Sequence, residues 1–174
     1  MELTPDSMMG KLQEYLQHLT AEMAFGTDRL RPNVYTRDLP PRAVEDFMMQ
    51  PPSELDTDIP PPNIQTLPDS KDERWPFIIV RFLRSMDNEE GVRQCEIDLI
   101  CGVEGAGTEG QKDVLHLMEF IRQHLLKNNY VDWGFRIVRP LGVELFEEQA
   151  DPYYMGLIST NWEAPSITTE VRLW

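Results

Sequence analysis

The sequence predicts an α+β fold: a mainly antiparallel or mixed sheet of about four to five strands, two helices packed on one of its faces, and a long Pro-rich acidic arm. Three observations carry this reading. Two stretches repeat apolar residues at helical spacing, one strand alternates apolar and polar residues almost without a break, and ten of the 14 prolines fall between Pro32 and Pro76. The predicted order is α, arm, β, β, α, β, β. It divides the chain into an N-terminal helix region at 1–26, the arm at 27–74, the core at 75–165 and a C-terminal tail at 166–174.

Residues 7–24 place Met8, Met9, Leu12, Tyr15, Leu16, Leu19 and Met23 on one helical stripe, with Asp6 or Ser7 as the N-cap and Gly26 beyond the end. The stripe suits packing on the sheet. In the arm, prolines come as Pro40-Pro41, Pro51-Pro52 and Pro60-Pro61-Pro62. Each fixes φ and donates no hydrogen bond, so neither a regular helix nor a central strand is expected there. Apolar residues, Val44, Phe47, Met48, Met49, Leu55, Ile59, Ile64 and Leu67, are scattered through the arm without a period. A pure spacer lacks them, and a segment of this kind orders against a partner.

From Trp75 the run WPFIIVRFLR is rich in β-branched and aromatic residues and reads as a well-buried strand. After a charged turn at Met86 to Gly91, Cys95, Ile97, Leu99, Cys101 and Val103 alternate with Gln94, Glu96, Asp98, Ile100 and Gly102. That pattern predicts a hairpin and a sheet covered on a single side. Residues 111–127 carry Val114, Leu117, Met118, Ile121 and Leu125 on one stripe, with a Thr108 and Gln111 capping box before it and Asn128-Asn129 after it. Two further strands, FRIVRPL from Phe135 and YYMGLISTNW from Tyr153, flank the acidic connection ELFEEQAD.

Formal net charge is -14, from 30 acidic and 16 basic side chains, which opposes binding to a phosphate backbone. No nucleic-acid partner is expected. Half of the net charge lies from Glu45 to Glu73, where eight acids face only Lys71. No run has the ~18 apolar residues of a spanning helix, and the start MELTPDSMMGKLQEYL lacks a basic leader followed by an apolar stretch. The expectation is a soluble, unsecreted protein with no membrane contact.

The sharpest motif is GAGTEG, Gly105 to Gly110, a literal GxGxxG between a strand and a helix. The alternating strand before it differs from the buried first strand of a dinucleotide fold, and Glu104 and Glu109 would repel a pyrophosphate. Asp132 precedes a predicted strand instead of ending one, and Lys112 is followed by Asp113, so neither a ribose contact nor a P-loop is completed. The loop reads as a flexible strand-to-helix connection, and no cofactor or small-molecule substrate is expected. Cys95 and Cys101 are six residues apart on one strand face, so at ~3.3 Å per residue their Cα atoms are about 20 Å apart, too far for a disulfide. They read as small core hydrophobes. His18, His116 and His124 make no ligand spacing, so no metal is expected. Glu96 and Asp98 share a strand face and would divide acid and base roles only if their environments differed. Neither a nucleophile nor a basic clamp accompanies them, and no catalytic residue is assigned.

The strand WPFIIVRF, the acidic turn and alternating strand, the helix QKDVLHLMEFIRQHLLKN and the segment LFEEQADPYYMGLISTNWEAP together resemble small proteins of tailed-phage and prophage tail modules, of the tail-terminator or tail-completion type. The resemblance spans approximately residues 75 to 165. It implies an α/β fold, a homo-oligomeric ring, commonly a hexamer, on the end of the tail tube, and a second ring face toward the head-neck connector. It also implies a place in the virion tail, with assembly in the host cytoplasm, and no active site. The Pro-rich arm departs from the compact members of that family. Expected oligomer or partner contacts are Phe47, Met48, Met49 and Ile59 in the arm, with Trp75, Tyr153, Tyr154 and Trp174 outside it. The arm is expected to wrap a neighbouring subunit or dock on the tube. Alternatives are another head-neck connector component, an acidic mimic of DNA, and a nucleotide-binding enzyme using GAGTEG.

Overall fold

A computed structural model of the 174-residue chain describes residues 3–41, 72–127 and 133–166. Its elements run α1 (Pro5–Leu19), β1 (Asn33–Thr36), β2 (Phe77–Asp87), β3 (Val92–Glu104), α2 (Gly107–Lys127), β4 (Arg136–Leu145) and β5 (Tyr153–Pro165). The strands form one five-stranded mixed sheet in the order β1-β2-β3-β5-β4, with β1 parallel to β2 and the other neighbours antiparallel. The predicted α+β class, the sheet and the two helices on one face are all present.

Helix α1 begins earlier than its periodicity suggested. Thr4 is the N-cap, accepting from the Ser7 N–H at 3.2 Å while Ser7 Oγ accepts from the Thr4 N–H at 3.0 Å. Asp6 and Ser7 therefore lie inside the first turn. The helix ends at Leu19, where the Thr20 hydroxyl donates to Leu16 O at 2.8 Å, so Gly26 plays no part in stopping it. Met8, Met9, Leu12 and Leu16 are the buried stripe.

Four residues inside the segment read as irregular arm belong to the sheet. Asn33 to Thr36 pair in parallel with Phe77 to Val80, and Val34 is buried in the core. The Asn33 side-chain amide donates to Glu73 O and Arg74 O, and the Gln13 amide donates to Val34 O at 2.8 Å. A four-residue edge strand needs no long apolar period, because it is held by backbone pairing and two side-chain amides.

The hairpin of β2 and β3 turns at Asn88, whose Oδ1 accepts from the N–H groups of Glu90 and Val92 at 3.0 and 2.9 Å. Alternate residues of β2, β3 and β5 face the helices: Ile78 and Val80, then Ile97, Leu99 and Cys101, then Ile158, Thr160 and Trp162. Together with the α1 stripe and with Val114, Leu117, Met118, Ile121 and Leu125 of α2 they make one continuous core. Trp162 is the largest side chain in it, its Nε1 donating to Thr160 Oγ1 at 2.7 Å, while the Thr160 hydroxyl donates to Ile97 O.

The face opposite the helices is not uniformly polar. Phe77, Ile79 and Ile100 form a second buried cluster, flanked by half-buried Tyr35, Leu39, Trp75, Phe146, Met155 and Leu157. Beyond it the face carries cross-strand ion pairs, Arg84 to Glu96 at 2.6 Å and Arg136 to Glu163 at 2.7 Å, with Arg81 3.8 Å from Asp98. The expectation of a single covered side thus holds for Gln94 and Glu96 but not for Asp98, Ile100 and Gly102, which are buried.

Candidate functional site

The glycine loop resolves first, because its geometry is explicit. Gly107 opens α2 with φ +54°, and its N–H donates to Asp151 Oδ1 at 2.8 Å. The helix amino end is where a phosphate would bind, and a carboxylate already occupies it. The same Asp151 oxygen accepts from the Tyr154 hydroxyl at 2.9 Å. The two hydrogen bonds, the Gly107 backbone first and the Tyr154 hydroxyl second, hold the Asp151 carboxyl below the usual range. This carboxylate takes the place of the expected Thr108 and Gln111 capping box, since Thr108 lies within the helix.

The other glycines of the motif serve packing. A Cβ on Gly110 would stand 2.6 Å from both Gly105 O and the Tyr154 ring, and one on Gly105 would stand 2.8 Å from the Gly110 Cα. Gly105 N–H donates to Pro152 O at 2.8 Å, tying the loop to the β4–β5 connection. GAGTEG is a place where strand, helix and connection approach too closely for side chains.

Cys95 and Cys101 are both free and buried on the helix-facing side of β3. Burial pushes the Cys101 thiol up to about 12 and raises that of Cys95. Burial and a raised pKa both disfavour the thiolate, the reactive form of a cysteine. Among the described residues no three His, Cys, Asp or Glu side chains gather to hold a metal ion. His124 lies against Phe120 with ring centroids 4.2 Å apart, and His116 lies beside Phe25. Glu96 and Asp98 do occupy different environments. The Arg84 guanidinium lowers Glu96, whereas burial raises Asp98. Their β5 partners on that face are Asn161 for Glu96 and Ser159 for Asp98.

The residues the structure does bring together are aromatic. Trp75 and Tyr153 are far apart in sequence, yet their rings lie 4.9 Å apart, and Trp75 is also 4.5 Å from Phe77. Tyr153 remains 38% exposed, and nearby Leu30, which lines one shallow depression with Trp75 and Pro76, is 42% exposed. A rim of large apolar side chains therefore stands at one end of the sheet. Tyr154 points to the helix side, packed at Gly110 and bound to Asp151, and is not part of this rim. Phe47, Met48, Met49, Ile59 and Trp174 lie outside the described residues.

A cavity of about 260 Å³ opens at the other end of the same face, lined by Arg84, Met86, Gln94, Glu96, Val138, Arg139, Pro140 and Asn161. Its polar groups are largely engaged, Arg84 with Glu96 and the Asn161 amide with Pro140 O at 2.8 Å. Sequence reasoning passed over the second apolar cluster. Its signal was the unbroken run FIIV, in which both faces of β2 are apolar, while Leu157 joins from β5 and Phe146 from just beyond the end of β4.

No protein-family model matches this chain, and no curated protein does.

Proposed function

We propose that the chain is a structural protein of a phage or prophage tail, of the terminator type, which assembles into a homo-oligomeric ring on the end of the tail tube and offers its other face to the head-neck connector. The observation that carries this reading is the rim at a sheet end in which exposed Leu30 and Tyr153 stand beside half-buried Trp75. Trp and Tyr are the residues that anchor protein interfaces, because they bury large rigid area with little conformational entropy lost. The positions where an enzyme would keep reactive groups favour the same reading: the helix amino end is occupied by Asp151 and both thiols are buried. A chain of this acidity meets its neighbours through different surfaces on each side of the contact, since like surfaces would repel.

Light scattering on the full chain tests the proposal. The expected mass is a multiple, about six, of the 20.2 kDa chain, with rings in negative stain and capture on purified tail tubes. A monomer at every concentration, without tube binding, overturns it. Binding to connector rings but not to tubes would move the protein to the neck.

A further inference from the structure

Among the described residues the sheet has two open margins, and an unpaired strand edge is a template for another chain. Strand β1 covers β2 only at Phe77 to Val80, and its last bond runs from the Arg37 N–H to Val80 O at 2.9 Å. From Arg81 to Asp87 no described strand lies on that side of β2. On the opposite margin β4 pairs with β5 alone. Its first half is guarded by the break in register between Val138 and Gly142, which holds Arg139 and Pro140, whereas Gly142 to Leu145 pair regularly. Three of the six large apolar side chains exposed among the described residues stand on these margins: Leu83 at 47%, Met86 at 56% and Val143 at 38%.

The backbone bonds show which groups point outward. The N–H groups of Asn33 and Arg37 donate to Pro76 O and Val80 O, so even-numbered residues of β2 turn away from β3 as far as the bulge between Phe82 and Arg84. Past the bulge Arg84 and Met86 face Glu96 and Gln94, and the alternation passes the outward N–H and C=O to Ser85 and Asp87. On β4 the Phe146 N–H donates to Met155 O at 3.2 Å, Glu144 and Gly142 share that inward sense, and Val143 and Leu145 turn their groups out. Every step from β2 through β3 and β5 to β4 is antiparallel, so β4 of a second copy set beside β2 in the plane of the sheet runs antiparallel to it. Placing Val143 opposite Ser85 joins outward groups to outward groups, with both side chains on the helix side, where their own partners Ile158 and Cys95 lie. The same register sets exposed Glu144 opposite Arg84 on the helix-free side, and it sets Gly142, which has no side chain to obstruct, opposite Met86.

We infer that copies of this chain join edge to edge, the Gly142–Leu145 margin of one pairing antiparallel with the Leu83–Met86 margin of the next, so that the sheet continues from subunit to subunit. Face, backbone direction and charge agree on one register, and that agreement selects a second copy as the occupant. The two margins are different surfaces, so each copy keeps one of each free for its neighbours, and the contact closes into a ring when every step turns by the same angle. The inference rests on the ring proposal and names the contact within it. The rim of Leu30, Trp75 and Tyr153 stands at a sheet end rather than on either margin, and stays open toward the tube or the connector.

Disulfide trapping in the full chain tests the inference. Directly opposed residues of a bonded antiparallel pair have Cα atoms about 5.5 Å apart, within disulfide reach. Within one chain Ser85 and Val143 are three strand spacings apart, about 14 Å or more, so a bond between them joins two copies. The double variant Ser85→Cys/Val143→Cys, mildly oxidised, is expected to lose its monomer band to a ladder of covalent oligomers on a non-reducing gel. Each single variant, and a Leu115→Cys/Val143→Cys control whose first site is exposed on α2, should keep the monomer band. A retained monomer band in the double variant, with light scattering still at ring mass, would overturn the strand pairing and leave the ring reading standing, whereas monomer mass throughout would overturn both. Covalent dimers from Ser85→Cys alone would mean a two-fold contact between β2 edges and overturn the inference, as would equal crosslinking in the Leu115 control. Hydrogen exchange on the unaltered chain reads the same margins without substitution: peptides covering 83–87 and 142–146 should exchange more slowly in the assembled form than in dilute monomer, and unchanged exchange at both would overturn the pairing.

Discussion

The Gly107 N–H points at Asp151 Oδ1 from 2.8 Å, so a residue of the β4–β5 connection caps the helix that begins two elements earlier. This single contact turns a nucleotide-like motif into a structural joint, and its charge makes it testable by pH. The fold holds the Asp151 carboxyl below its usual range, so the ionised form is favoured in the native state. The stability it contributes is complete above the unfolded value, about 3.9, and is lost as pH falls through the native one. Asp151→Asn should therefore lower Tm most near neutral pH, with the difference from wild type shrinking below about pH 4. A difference constant with pH would refute the electrostatic part of this account. Millimolar NAD or ATP should leave Tm unchanged.

Asp98 carries the opposite sign. Burial raises its carboxyl, with Arg81 opposing and Glu96 and Glu144 adding to the shift. A raised native value means that the neutral form favours folding, so the stabilisation is complete below about 3.9 and is lost as pH rises through the native value. Asp98→Asn should raise Tm at pH 7, and the gain should vanish under acid. Arg81 is 44% exposed and keeps its hydration when the charge opposite it is removed. Thermal melts of this variant and of Asp151→Asn should move apart at neutral pH and converge with wild type at low pH.

The glycine motif makes a stability prediction. Gly110→Ala would drive a methyl into Gly105 O and Tyr154, and overpacking of that kind costs about 1 to 3 kcal/mol. Gly107→Ala meets no atom within 4 Å and bears only the strain of its positive φ, about 1 kcal/mol. Urea unfolding should rank Gly110→Ala below Gly107→Ala. The reverse order would mean that the close approach relaxes easily.

Trp162 and Thr160 form a polar pair inside the core. Thr160→Val removes the acceptor of the buried indole N–H and should cost about 1 to 3 kcal/mol, while Trp162→Ala should cost about 3 to 5 kcal/mol. Because the residues are in contact, the double variant should lose less than the two losses combined.

The two cysteines should resist alkylation. With Cys101 pushed up to about 12 and both side chains buried, thiol reagents at pH 8 should label the native chain at the rate of global unfolding. Both thiols should react at once in denaturant. Fast labelling of either in native buffer would mean that β3 opens locally.

Legibility followed the range of the interactions involved. Met8, Leu12 and Leu16, and likewise Val114, Leu117 and Ile121, declare a helix because residues three and four apart share one face, whatever they pack on. Cys95 to Val103 declare a strand by the same local logic. The start of α1 was misread by a few residues because Thr4 and Asp6 are both good caps in isolation, and only the Ser7 hydroxyl completing a box at Thr4 separates them. Strand β1 was hidden, since Asn33 to Thr36 have no pattern of their own and pair with residues more than 40 positions away. Trp75 and Tyr153 are contact residues by their chemistry, but the tilted contact of their rings, and the turning of Tyr154 to the other face, depend on β5 lying beside β3.

The sequence by itself determined the class of fold, the two helices, the β2–β3 hairpin and the concentration of proline and negative charge between Pro32 and Pro76, because each is a matter of neighbouring residues and their period. Tertiary structure decided the strand order, the apolar cluster on the second sheet face and the meaning of GAGTEG. Those depend on which distant groups come within a few ångströms of one another. A carboxylate from the β4–β5 connection closing the amino end of α2 has no signature in the local sequence of either.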